Sequence, residues 1–288
     1  TDATSGVASQ LVSLAGNPWA PSLTLSADGV YTVQARVTDN AGNATTVSQT
    51  IYIDRTPPVI DAPVLTGTTG LAGWYTSSVG FSGSATDATS GVASTQYSVD
   101  GGDWQTTAPT LLDGVHTVQI RVTDNASNTN MISGTIKIDA TPPSLDVSVP
   151  TVDGLNGWYR SPVTLTASAS DATSGLADLL FSVDGGSWTI GTSISVSDGV
   201  HTVDFQAHDL AGNQVSSSQI VSVDTTPPSL TVSIPVPQGL DNWYTSAPQV
   251  SATGSDSGSG VSGFTYSVDG GTWQSGPLTL TAGQHPSD

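Results

Sequence analysis

Aspartate is the residue type in this chain that is placed often enough, and regularly enough, to do chemistry. All 24 acidic residues are Asp, set against four Arg and one Lys, and the formal charge is −19. Three classes of Asp recur in fixed order. Asp54, Asp139 and Asp224 each open an Asp-X-Thr-Pro-Pro segment, and Asp2, Asp87, Asp171 and Asp256 each open an Asp-X-X-Ser-Gly loop. Asp39, Asp124 and Asp209 each open an Asp-X-Ala-(Gly/Ser)-Asn turn. Carboxylates brought within a few ångström raise one another's pKa unless a cation or solvent intervenes. Calcium answers such a cluster, because it takes several oxygen ligands from carboxylates, amide carbonyls and backbone. The sequence nominates Asp54, Asp87 and Asp124 as one set of metal ligands. Asp139, Asp171 and Asp209, with the Asn213 amide, form a second, and Ca²⁺ is the cofactor both would take. Asn125 and Asn128 can add their carbonyls, and Arg55 can instead pair with the first set. The plainer reading is that each Asp accepts hydrogen bonds from its own turn and faces water.

Aromatic residues form the other candidate site. Trp74-Tyr75, Trp158-Tyr159 and Trp243-Tyr244 recur after each Pro-Pro, and Ser-Val-Asp-Gly-Gly-X-Trp ends at Trp104, Trp188 and Trp273. Exposed Trp-Tyr pairs stack on sugar rings. The same rings equally cap the open end of a β-sandwich, since large aromatics dominate core energetics.

Catalysis finds little to work with. The four His (116, 201, 208 and 285) are thinly spread, no Gly-X-Ser-X-Gly elbow precedes a helix, and there is no Glu. No zinc pattern, phosphate loop or dinucleotide fingerprint occurs. The acidic balance repels nucleic acid and anionic membrane surfaces, so neither is expected as a partner. No stretch approaches the length of a spanning helix, and direct membrane insertion of this segment is not expected. Zero Cys excludes a disulfide scaffold.

The elements that must position these residues follow from the repeat. The motifs return about every 85 residues, which signals an array of one small domain. The expected boundaries are a partial repeat at 1–54, whole repeats at 55–139 and 140–224, and a partial repeat at 225–288. Within 140–224 apolar residues alternate with polar ones in short runs, for example Leu145, Val147, Val149 and Val203, Phe205, Ala207. Period-two alternation broken by Gly, Pro and Asp predicts half-buried antiparallel strands at 144–149, 163–169, 179–184, 187–190, 193–197, 201–208 and 215–223. The fold class is therefore all-β: tandem Ig-like or fibronectin-III-like sandwiches in an extended rod. On that topology each Asp set gathers where one repeat hands over to the next, and the Trp-Tyr pairs gather at the opposite pole. The Asp-Gly and Asp-Gly-Gly pairs supply the positive φ angles of tight hairpins.

The run Asp-Thr-Thr-Pro-Pro, Trp-Tyr, Ser-Gly, Tyr-Ser-Val-Asp-Gly-Gly-X-Trp, Asp-Gly-X-His-Thr-Val and Asp-X-Ala-Gly-Asn resembles the bacterial Ig-like repeats of large secreted and surface proteins. The resemblance covers essentially the whole chain. It implies a non-catalytic stalk, spacer, surface-layer or filament component at a microbial cell surface or outside the cell. Its partners would then be neighbouring repeats or copies of itself. The alternative is a glycan-binding or accessory module of an adhesin or polysaccharide-degrading enzyme, with surface polysaccharide as the partner.

Overall fold

The structure, a computed structural model, describes residues 3–275. Asp2, His285 and the last part of the fourth repeat lie outside the described residues. The chain divides into two compact units, residues 1–141 with 210–213, and residues 142–209 with 214–288. Every regular element among the described residues is a β-strand.

The third repeat, in the second unit, shows the architecture most fully. One sheet has three strands in the order Ser144–Ser148, Val163–Ser170, Ser193–Val196. The other has five, in the order Trp158–Tyr159, Gln214–Val223, Gly199–Asp209, Leu176–Val183, Thr189–Ile190. Alternation along these strands sends Val163, Leu165 and Ala167 from the first sheet against Leu179, Val203, Phe205, Val221 and Val223 from the second. Phe205 is fully buried and meets Phe181 at a centroid distance of 6.4 Å. Burying side chains of this size contributes about 1.5–3 kcal/mol each, which is what holds the two layers together.

The seven expected strands are all present, each within three residues of the expected ends. One element was not expected. Trp158-Tyr159, read from sequence as part of a connection, forms a two-residue strand parallel to the end of Gln214–Val223, pairing Trp158 with Ser222 and Tyr159 with Val223. Two residues carry no legible period, so alternation could not reveal it.

In the first unit the second repeat repeats this plan. Trp74–Tyr75, Thr129–Ile138, Gly114–Asp124 and Val92–Val99 form a four-stranded sheet, and the facing layer is two short pairs, Val59–Ile60 with Ala85–Thr86 and Val64–Thr66 with Gly80–Ser82. Val79, Phe81, Tyr97, Val118, Ile120, Val122 and Ile138 are buried between them. Phe81 and Tyr97 meet edge to face at 5.6 Å. The first repeat contributes one sheet, Val7–Leu14, Gly29–Asp39 and Ala44–Ile53. Its Val37 is 41% exposed, whereas the equivalent Val122 is fully buried.

In the second unit the fourth repeat contributes Ser229–Ser233 paired antiparallel with Ser251–Ser255.

Candidate functional site

The first set of carboxylates is assembled in the first unit. Asp54 follows the strand Ala44–Ile53, Asp87 follows Ala85–Thr86, and Asp124 ends Gly114–Asp124. Carboxylate oxygens of the three lie within 4.8 Å of one another. Each already serves the backbone. Asp87 Oδ1 accepts from the N–H groups of Thr89, Ser90 and Gly91 at 3.1, 2.9 and 2.8 Å, which closes its loop. Asp124, buried, accepts from Ala126 and Asn128 N–H through Oδ1 and from Asn128 Nδ2 through Oδ2. Asp54 accepts from Thr56 N–H and, across the junction, from Ser90 N–H at 3.0 Å. Ser90 N–H thus bridges Asp54 and Asp87, while its Oγ is buried with no hydrogen-bond partner.

No basic side chain is committed to this set. Arg55 turns instead to Asp28 at 3.3 Å, and its guanidinium also donates to Ser26 O. Arg36 lies over Trp19 at 4.4 Å, Arg121 over Trp104 at 4.2 Å and Lys137 over Trp74 at 5.8 Å, while Arg160 is 4.0 Å from Asp153. These are all five Lys and Arg of the chain.

The residues of the second nominated set fall in different units. In the first, buried Asp139 accepts from Thr141 N–H at 3.2 Å, and Asn213 Nδ2 donates to the Asp139 carbonyl at 2.8 Å. In the second, Asp171 Oδ1 accepts from Thr173 and Gly175 N–H, and Asp209, 1% exposed, ends its strand. Also in the second unit, Asp224 accepts from Thr226 and Ser259 N–H. Hydrogen bonds from Ser259, side chain first, hold its carboxyl below the ordinary value of 3.8.

The structure adds a residue class that sequence reasoning assigned only to hairpin turns. The Asp of each Asp-Gly-Val clamps the following linker. Asp28 accepts from Arg55 N–H and Thr56 Oγ1. Asp113 accepts from Ala140 N–H at 2.9 Å and Thr141 Oγ1 at 2.6 Å. Asp198 accepts from Thr225 N–H at 3.0 Å and Thr226 Oγ1 at 3.2 Å. The Thr56 hydroxyl is the main cause that lowers the Asp28 pKa. A signal was available: Asp-Gly-Val always stands 26 residues ahead of the linker Asp (28 to 54, 113 to 139, 198 to 224). The Asp-Gly pairs also divide in conformation. Asp100 and Gly101 both have positive φ (53° and 73°), as a tight hairpin needs, whereas at the clamps only the glycine does, Gly114 at 142°.

The aromatic pairs sit as follows. Tyr159 is 6% exposed and its hydroxyl donates to Pro150 O at 2.5 Å; Tyr244 makes the same bond to Pro235 O. Trp74, Tyr75 and Trp158 are half-buried, and Trp243 is 54% exposed.

Two family models match the chain, both described as bacterial Ig-like domain, one over residues 156–225 and the other over residues 2–55 and 75–140. Among curated proteins nothing matches. Similar solved structures include a tetra-tandem repeat in the extending region of a large adhesion protein, 24% identical, covering 95% of this chain and 80% of that one at a TM-score of 0.31. A protocadherin gammaB7 EC3-6 cis-dimer is 14% identical, with 73% and 62% covered and a TM-score of 0.27. The human desmocollin-1 ectodomain is 12% identical, with 69% and 44% covered and a TM-score of 0.25. The two family matches take in well over half of the chain and fall on the sandwich repeats described above, so the chain belongs to the bacterial Ig-like domains, in tandem array.

Proposed function

We propose that this array is a non-catalytic structural region of a large microbial extracellular or cell-surface protein, acting as a stalk or spacer. The carrying observation is the first linker, which is fastened on both sides. Asp28 holds Arg55 and Thr56 from the preceding repeat. From the following repeat, Asn128 Nδ2 donates to Asp54 O at 3.2 Å and Asn130 Nδ2 to Pro58 O at 2.8 Å. Pro58 is buried, and Pro-Pro fixes φ while offering no N–H to a continuing ladder. A linker held this way transmits position from one repeat to the next, which is what a spacer needs. Small-angle scattering tests it. Excising residues 55–139 should shorten the maximum dimension by one repeat, roughly 35–45 Å at about 3.3 Å per residue of strand. An unchanged dimension rejects the spacer.

A second element of the proposal is Ca²⁺ at Asp54, Asp87 and Asp124. What favours it is three carboxylates within 4.8 Å and no basic partner, beside the unpartnered Ser90 Oγ. Thermal unfolding with and without millimolar Ca²⁺ at fixed ionic strength is the check. At a hundred times the Kd the folded state gains about 2.7 kcal/mol. A rise in Ca²⁺ that Asp87→Asn removes supports the site; no rise leaves the three Asp as turn formers. The alternative of a glycan-binding module rests on the exposed rings of Trp243, Trp188 and Trp273. Retention on insoluble polysaccharide, lost in Trp243→Ala with folding intact, would favour it over the spacer.

A further inference from the structure

Two of the linker clamps carry a histidine with an unusual set of partners. His116 Nδ1 faces Asp100 Oδ2 at 2.8 Å and Nε2 faces Leu112 O at 3.1 Å. His201 repeats this in the other unit: Nδ1 to Asp184 Oδ2 at 2.8 Å and Nε2 to Ser197 O at 3.1 Å. A carbonyl and an ionised carboxylate only accept, so both ring nitrogens must donate, and only the imidazolium has two N–H groups. The neutral ring can keep one bond at most.

The second bond lies one residue before the clamp. Leu112 O precedes Asp113, which holds Ala140 and Thr141, and Ser197 O precedes Asp198, which holds Thr225 and Thr226. Glycine makes room for the ring at this corner. A Cβ on Gly114 would stand 3.1 Å from His116 Nε2, and one on Gly199 would stand 2.9 Å from His201 Nε2. In the first repeat the same corner is tied differently: Tyr31 Oη donates to Ala27 O, one residue before Asp28. A tyrosine hydroxyl carries its own donor hydrogen and needs no added proton to make this bond.

We propose that His116 and His201 are proton-dependent latches on the linkers that follow the second and third repeats, while the first linker, tied at this corner by Tyr31, has no histidine latch. This holds whether the array is a spacer or a binding module. The charged group facing His116 is Asp100, from the neighbouring hairpin; across the sheet stands apolar Ile136, and its own corner offers backbone. For His201 the charged group is Asp184, with apolar Val221 on the neighbouring strand and the backbone of Ser197 and Asp198 at its corner. The hydrogen bond that His116 donates to Asp100 raises its pKa above 6.5 against the opposing effect of burial, and the bond to Asp184 does the same for His201. The bond in turn lowers the Asp100 and Asp184 pKa below 3.8. A raised histidine contributes stability fully below its unfolded pKa and loses it as pH rises through the folded value. A lowered aspartate contributes above its unfolded pKa and loses it as pH falls through the folded value. The latch is therefore closed between the two folded pKa values and opens as pH rises past that of the histidine.

The test is an NMR titration of the intact 288-residue chain from pH 5 to 9, following the imidazoles with the linker amides. The expected result is His116 and His201 midpoints above 6.5, with the amides of Ala140, Thr141, Thr225 and Thr226 shifting at the same midpoints and those of Arg55 and Thr56 flat. In Asp100→Asn the His116 midpoint should fall and that of His201 should stay. Linker amides that do not follow the imidazoles, or midpoints at or below 6.5, overturn the proposal. So does an Arg55 or Thr56 amide that titrates with the others.

Discussion

At the scale of single residues, an aspartate here is first an acceptor for backbone N–H groups. Asp124 is 2% exposed and satisfies three donors of its turn. Asp124→Ala should cost about 1–3 kcal/mol, because buried donors are left without partners. Urea midpoints of the chain and its variant would measure this. At Asp28 and Asp39 the sign of the pH effect is fixed by their donors. Thr56 lowers the first and the Asn43 side chain the second, both from 3.8. Depressed carboxyls contribute stability above the unfolded pKa and lose it as pH falls through the folded one. Their carbonyl-carbon NMR titrations should accordingly have midpoints below 3.8, and midpoints at or above that value would show that these bonds are absent in solution.

At the scale of elements, the Trp-Tyr pair is a short strand that ties the connection between layers to the end of the last strand. Its tyrosine anchors that edge through Pro150 O. Removing the hydroxyl in Tyr159→Phe should cost about 0.5–1.5 kcal/mol, the net worth of one hydrogen bond. Phe205→Ala in the same repeat should cost far more, about 3–5 kcal/mol, since it empties the centre of the core. Denaturant titration followed by Trp fluorescence separates the two, and near-equal losses would mean that the core does not close around Phe205.

At the scale of the whole molecule, stability in a tandem array is a sum of repeat terms and nearest-neighbour terms. Such a chain is not expected to unfold as one two-state unit. Hydrogen exchange in Phe205→Ala should therefore lose protection in Gly199–Asp209 while Gly114–Asp124 keeps most of its own. Equal loss in both strands would show coupling stronger than a sum of modules.

The period, the strand pattern of the third repeat and the all-β class could be read from the chain, because alternation and turn residues are local signals. Proximity of Asp54, Asp87 and Asp124 could be argued as well, since topology decides which loops share a pole. What tertiary structure alone decided is where each polar atom finds its partner. Arg55 turns to Asp28 and not to the carboxylate set, and Asp113 reaches Ala140 and Thr141 across 27 and 28 residues. His116 points both nitrogens at acceptors, a choice set by the hairpin at Asp100 and the corner at Leu112. Hydrophobic period fixes which face a residue takes, whereas a hydrogen bond needs distance and angle, and those exist only once the layers have closed.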